Sequence, residues 1–138
     1  MRFYLAHPIV CKDTTRTSEL LFERKTGHEL VNPFYDLERS DIAEIDLGNK
    51  DPYDGKLNYN EIVVRDTNAI LSSDGVIVVL PYVPTIGTIC EIMLARQFNK
   101  RVIAVVLHPP WRNHPWLLYF VDDIVADFDE LEALLGDA

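Results

Sequence analysis

The chain predicts an α/β domain in which a parallel sheet is covered by helices on both faces. Three observations carry this. Residues 75–80 and 101–107 are nearly unbroken runs of Val, Ile and Leu, the composition of strands buried on both sides. Between them, residues 85–99 set Ile89, Ile92, Met93 and Phe98 near helical spacing, so the three segments read as a βαβ unit. The same alternation recurs on either side.

In chain order, residues 3–6 form an apolar first strand. Residues 15–26 follow as a helix that Gly27 stops, because glycine tolerates the left-handed turn at a helix end. Residues 28–34 read as a second strand. Residues 35–59 break the rhythm: they are long, polar and acidic, with Asp36, Asp41, Asp46, Asp51 and Asp54. Long segments of this kind inside compact domains are usually functional loops. A helix over residues 60–71 leads through Ser72, Ser73 and Asp74 into the central strand, with Asp74 in a turn or capping role. After the strand at 101–107, residues 108–116 carry three prolines and two tryptophans, a stiff aromatic connection suited to a pocket wall or a subunit contact. A short strand at 123–126 precedes Asp127-Phe128-Asp129-Glu130, the D-x-x-E start of a last helix. The sum is a five-stranded, doubly wound domain, flavodoxin- or Rossmann-like, spanning residues 1–138.

The totals exclude several classes of function. A net charge of −9 argues against nucleic-acid binding, which needs clustered Lys and Arg. The longest apolar run, residues 75–81, is too short to cross a bilayer, and the N-terminus lacks the apolar stretch of a signal peptide. Cys11 and Cys90 form no metal-ligand spacing with each other or with the four histidines; both are expected as buried or half-buried thiols. A cytoplasmic location is the expectation.

Ligands of open parallel sheets bind beyond the carboxyl ends of the strands. The four main strands deliver His7-Pro8, Asn32-Pro33-Phe34-Tyr35-Asp36, the turn 81–88 and His108–Trp111 to that edge. The third turn is the most informative. Gly87 lets a ligand approach the backbone, Thr85 or Thr88 can cap the helix, and Glu91 follows one turn later. Helix-start amides attract anions and keep a nearby carboxylate ionised, as a nucleophile requires. By spacing alone, Glu91 reads equally as a solvated helix residue. Asp66, placed near the start of its helix, is the second candidate acid; a surface salt bridge with Arg65 or Arg101 is its alternative.

These residues resemble a known family. Tyr4-Leu5-Ala6-His7-Pro8 is similar to the opening "YLAGP" strand of nucleoside 2-deoxyribosyltransferases. Arg65-Asp66 with residues 73–79 resembles their "D…I…aD.viavl" segment, Gly87-Thr88-Ile89-Cys90-Glu91 with Ala95 their "GTxxE…A" signature, and residues 100–105 their "gkpviav" strand. The resemblance implies cleavage of the N-glycosidic bond of a 2-deoxynucleoside by retaining double displacement. It assigns Glu91 as nucleophile, Tyr4 as the group orienting it, and Asp66 as the residue assisting proton transfer at the base. It implies no metal or organic cofactor, and a homo-oligomer whose sites borrow residues from a neighbouring subunit. His7, Pro8, Asn32, Phe34, Asp36, Thr85, Gly87 and Thr88 are then the candidate substrate contacts.

One position departs from the transferase pattern. Transferases commonly carry Asp six residues before the nucleophile; Thr85 stands there. The sister group of nucleoside 5′-monophosphate N-glycosidases resembles "PSxG" at this point, its Ser helping to hold the phosphate. Thr85 therefore raises hydrolysis of a nucleotide as the alternative to base exchange. His7 also replaces the usual small residue after "YLA". A nucleotide-binding module without turnover is the second alternative, and the presence of both Glu91 and Asp66 speaks against it. A flavodoxin-type redox domain shares the fold but would need a Ser/Thr/Gly-rich phosphate loop after the first strand, which residues 9–15 supply poorly.

Overall fold

The computed structural model describes residues 1–8, 11–36, 59–83 and 85–138, apart from the side chains of Phe34 and Tyr59. In chain order the elements are β1 (Arg2–Ala6), α1 (Lys12–Thr26), β2 (Glu29–Val31), α2 (Pro33–Asp36), α3 (Tyr59–Leu71), β3 (Gly75–Leu80), α4 (Ile86–Gln97) and β4 (Arg101–Val106). A 3-10 turn (Pro109–Asn113), α5 (Pro115–Phe120), β5 (Asp123–Val125) and α6 (Phe128–Leu135) complete the chain. The five strands form one sheet in the order β2-β1-β3-β4-β5, and every pair is parallel. The doubly wound fold read from the sequence is the fold observed.

Strand alternation sorts the core into two halves. Tyr4, Ala6, Val76, Val78, Val102 and Ala104 face one side with Ile70 of α3 and Ile92 and Ala95 of α4. Phe3, Leu5, Ile77, Val79 and Ile103 face the other, with Phe22 of α1 and Leu131 of α6. β3 and β4 are buried on both sides, which is why their sequence reads as unbroken Val and Ile.

Carboxylates clamp the sheet margins. Asp74 accepts from the Arg2 amide at 2.8 Å while its own amide donates to Arg2 O at 2.7 Å, the turn role expected of it. Asp122 accepts from Val102 N at 2.8 Å, and Glu23 from Leu30 N at 2.9 Å. Gly75 is required by space: a Cβ there would lie 2.9 Å from Arg101 O and 3.1 Å from the Phe3 ring.

Several boundaries differ from the sequence reading for identifiable reasons. The expected strand at 28–34 is only Glu29–Val31, because Pro33 is pre-set for a first helical position and the Asn32 carbonyl accepts from the amides of Tyr35 and Asp36. Residues 37–58 of the acidic segment lie outside the described residues. Gly27 does end α1, at φ 80° with its N–H on Glu23 O. Asp127 caps α6 through the Glu130 amide, and Glu130 returns to Ala126 N. In α4 the apolar face is narrower than its sequence implies. Thr88, Ile92 and Ala95 are buried, whereas Ile89 and Met93 lie half open and Phe98 falls past the helix end. Cys90, off that buried stripe, is exposed rather than buried; Cys11 is half-buried as expected.

Candidate active site

The first strand fixes one anchor. Tyr4 points to the face that α3 and α4 cover and is fully buried. Both helices pack on β1 and on each other. Asp66 precedes the buried Ile70 by one turn, so it shares the inward face of α3; it is 8% exposed. Glu91 lies on α4 between the buried positions Thr88 and Ala95 and is half-buried. The Tyr4 hydroxyl, Asp66 Oδ1 and Glu91 Oε2 are each closed to solvent. The three sequence-assigned catalytic residues therefore belong to one layer: two carboxylates on contacting helices, above a strand tyrosine.

Two local readings of Asp66 change. It sits mid-helix rather than near the helix start, since α3 begins at Tyr59. It is not a surface partner of Arg101, which pairs with Asp123 at 3.0 Å.

The start of α4 is built as an open helix terminus. Thr85 holds the N-cap position with extended backbone, but its hydroxyl lies 3.1 Å from the Thr88 hydroxyl and makes no capping bond to the first-turn amides. The expected cap by Thr85 or Thr88 is thus replaced by a hydroxyl pair beside the helix start. Among the described residues, an added Cβ at Gly87 would meet nothing within 4 Å, which leaves the backbone there open to a ligand from their side. Amides at a helix start with open space over them favour an anionic group.

The β1 and β2 ends are tied more tightly. His7 is buried, and its Nδ1 lies 3.2 Å from Leu5 O, the donor's place. The Pro8 carbonyl accepts from Cys11 N and Sγ, both at 3.3 Å, and so serves the start of α1. Asn32 has no exposure and gives its side-chain N–H to Glu19 of α1. Asp36 accepts from the Asn32 amide at 2.7 Å. The Phe34 side chain lies outside the described residues.

Sequence reasoning missed two features. One is Glu19, buried on the inward stripe Thr15, Glu19, Phe22, Thr26 of α1; that 4-3-4 spacing was the available signal. The other is an apolar cleft of about 310 Å³ between α4 and α5. Among the described residues, Leu80, Ile89, Ile92, Met93, Trp111, Trp116, Leu117 and Phe120 line it together with His114. The half-open residues of α4 face this cleft rather than the core.

Among solved structures, the fold is similar to three that nearly span the chain. A CMP N-glycosidase of Clostridium botulinum is 18% identical, with a TM-score of 0.61, over 98% of this chain and 100% of that one. A 2-deoxyribosyltransferase of Bacillus psychrosaccharolyticus is 15% identical, with a TM-score of 0.66, over 96% and 90%. A conserved protein of Enterococcus faecalis V583 is 16% identical, with a TM-score of 0.69, over 95% and 94%. No family model and no curated protein matches the chain. The likeness to these three structures is one of fold.

Proposed function

We propose that the protein cleaves the N-glycosidic bond of a (2-deoxy)nucleoside or nucleotide by retaining double displacement. The observation that carries this is that Glu91 and Asp66, each with a carboxylate oxygen closed to solvent, sit on two helices that pack on each other and on β1, the strand of Tyr4. A sugar–base bond breaks through an oxocarbenium-like state, which a carboxylate beneath the ring stabilises and then traps. Glu91 forms the ester to the anomeric carbon as the C–N bond breaks, and the electron pair leaves with the base. Asp66 delivers the proton that the departing base needs. Water or a second base then attacks the same carbon and frees Glu91. Tyr4 orients the nucleophile. In this reading His7, Pro8, Asn32 and Asp36 stand on the β1/β2 side of the site, and Thr85, Gly87 and Thr88 on the α4 side.

Incubation with a panel of nucleosides and 5′-monophosphates, with and without a free acceptor base, tests this reading. Release of free base, or its exchange, is expected; no reaction across the panel sinks it and leaves a nucleotide-binding module.

The open start of α4 favours a second form of the reading, hydrolysis of a nucleoside 5′-monophosphate. The Thr85–Thr88 hydroxyl pair can donate to a phosphate, whereas an Asp would repel it. Thr85→Asp is expected to weaken a 5′-monophosphate more than its nucleoside, by roughly 1–3 kcal/mol. Thr85→Ser is expected to be mild. Equal losses on both substrates, read as kcat/KM, would leave base exchange as the better description.

We further infer a homo-oligomer that covers the α4–α5 cleft with a second copy. Trp116 and Tyr119 are 67% and 72% exposed beside it, and among the described residues none that lines the cleft or the adjoining hollow at α5 is acidic, in a chain of net charge −9. Aromatic residues of this kind anchor interface cores. Trp116→Glu is expected to convert an oligomer to a monomer in sedimentation at micromolar concentration. A wild-type monomer with full activity refutes the assembly.

A further inference from the structure

Glu19 has no solvent exposure in the middle of α1. An apolar residue would continue the inward stripe there at lower cost, because a buried carboxylate must be compensated by charge and hydrogen bonds. Its Oε1 accepts from Arg16 Nη1 and, at 3.1 Å, from Asn32 Nδ2. Its Oε2 is buried and has no hydrogen-bond partner among the described residues.

Asn32 is the hub of the turn that follows β2. Its carbonyl accepts from the amides of Tyr35 and Asp36 at 3.2 and 2.7 Å, and its own amide donates to Asp36 Oδ2. Tyr35 closes the circuit. Its ring lies 4.6 Å from the Arg16 guanidinium, and its hydroxyl donates to Asp13 at 2.9 Å. Among the described residues, the charged and titratable groups acting on Glu19 are therefore Arg16 from α1 and Tyr35 and Asp36 from α2, with the Asn32 side-chain amide from the turn after β2. Glu23, one turn on, acts on Arg16.

We propose that Glu19 is a positioning residue, which holds Asn32 and, through it, the α2 turn that walls the substrate site. What is positioned rests on the glycosidic reading above; the coupling of Glu19 to α2 does not. Burial pushes the Glu19 carboxyl up to about 7, against the opposing hydrogen bonds from Arg16 and Asn32. Its grip is accordingly set near neutral pH. Ionised, it accepts strongly from both partners. Protonated, it holds them as a neutral acceptor. Substrate affinity should then rise with pH through this range while the chemical step at Glu91 is untouched.

Two measurements on the full chain decide the matter. In 15N–1H spectra, the amides of Asn32, Tyr35 and Asp36 are expected to titrate together near neutral pH in the wild type and to stay fixed in Glu19→Gln. A flat wild-type response, or the same response in the variant, overturns the proposal. On whichever nucleoside or nucleotide is turned over, Glu19→Gln is expected to raise KM by about threefold to tenfold above neutral pH with kcat nearly unchanged. A loss confined to kcat also overturns it. If the wild type turns over nothing, the glycosidic reading fails, and the spectra still decide whether Glu19 governs α2.

Discussion

Replacing Glu91 by Gln is expected to lower N-glycosidic turnover by at least about three orders of magnitude while leaving the fold intact. The substitution is nearly isosteric, and Glu91 is half-buried between Thr88 and Ala95. It keeps the packing of α4 and removes the negative oxygen that would attack the anomeric carbon. The melting temperature should therefore hold within a few degrees. Mass spectrometry of quenched reactions should show a glycosyl adduct on the wild type and none on Glu91→Gln. Asp66→Asn should behave differently. Loss of proton delivery slows cleavage most for substrates whose base leaves poorly, by about 10²–10⁴-fold, and an activated leaving group should recover much of it. A folded Glu91→Gln protein with near-normal turnover would end the nucleophile assignment and leave Asp66 as the next carboxylate to test.

The parts of this molecule legible in the sequence are those governed by local rules. The runs at β3 and β4 are readable because a strand buried on both faces tolerates little besides Val, Ile and Leu. The ends of α1 and α6 are readable because Gly27 and Asp127 do chemistry that depends on near neighbours. Glu91 and Asp66 were singled out by motif and by charge near a helix. Their common layer above Tyr4 comes from the strand order, which no local pattern contains. What escaped the sequence is what only tertiary contact defines. Ile89 and Met93 look like core at helical spacing, yet they line a cleft, because the neighbouring element is the short α5 and leaves the space open. Glu19 is a charged residue in a polar helix, yet it is fully buried and Asn32 comes to its carboxylate.

That burial of Glu19 carries the second large expected effect, on stability. Burial raises its carboxyl from the ordinary carboxylate range to about 7 in the folded chain. A raised acid favours the folded state in its protonated form. The stabilisation is complete below the unfolded value and is lost as pH rises through about 7. Relative to a group that does not titrate, wild-type stability should fall by on the order of 3 kcal/mol from about pH 4.5 to about pH 8. Glu19→Gln keeps an acceptor for Arg16 and Asn32 and cannot ionise. Its stability minus that of the wild type should thus grow with pH and be largest above neutrality. Denaturant unfolding of both proteins at several pH values isolates this difference, because every other carboxylate titrates in both. A difference independent of pH, or a wild type that is the more stable above pH 7, would show that Arg16 and Asn32 compensate the buried charge in full. With the expected result, the native residue is the less stable choice at neutral pH. Such a cost is retained where a site needs it, and among the described residues Glu19 bonds to Asn32, which ties it to the α2 turn that the proposed reading sets at the substrate edge.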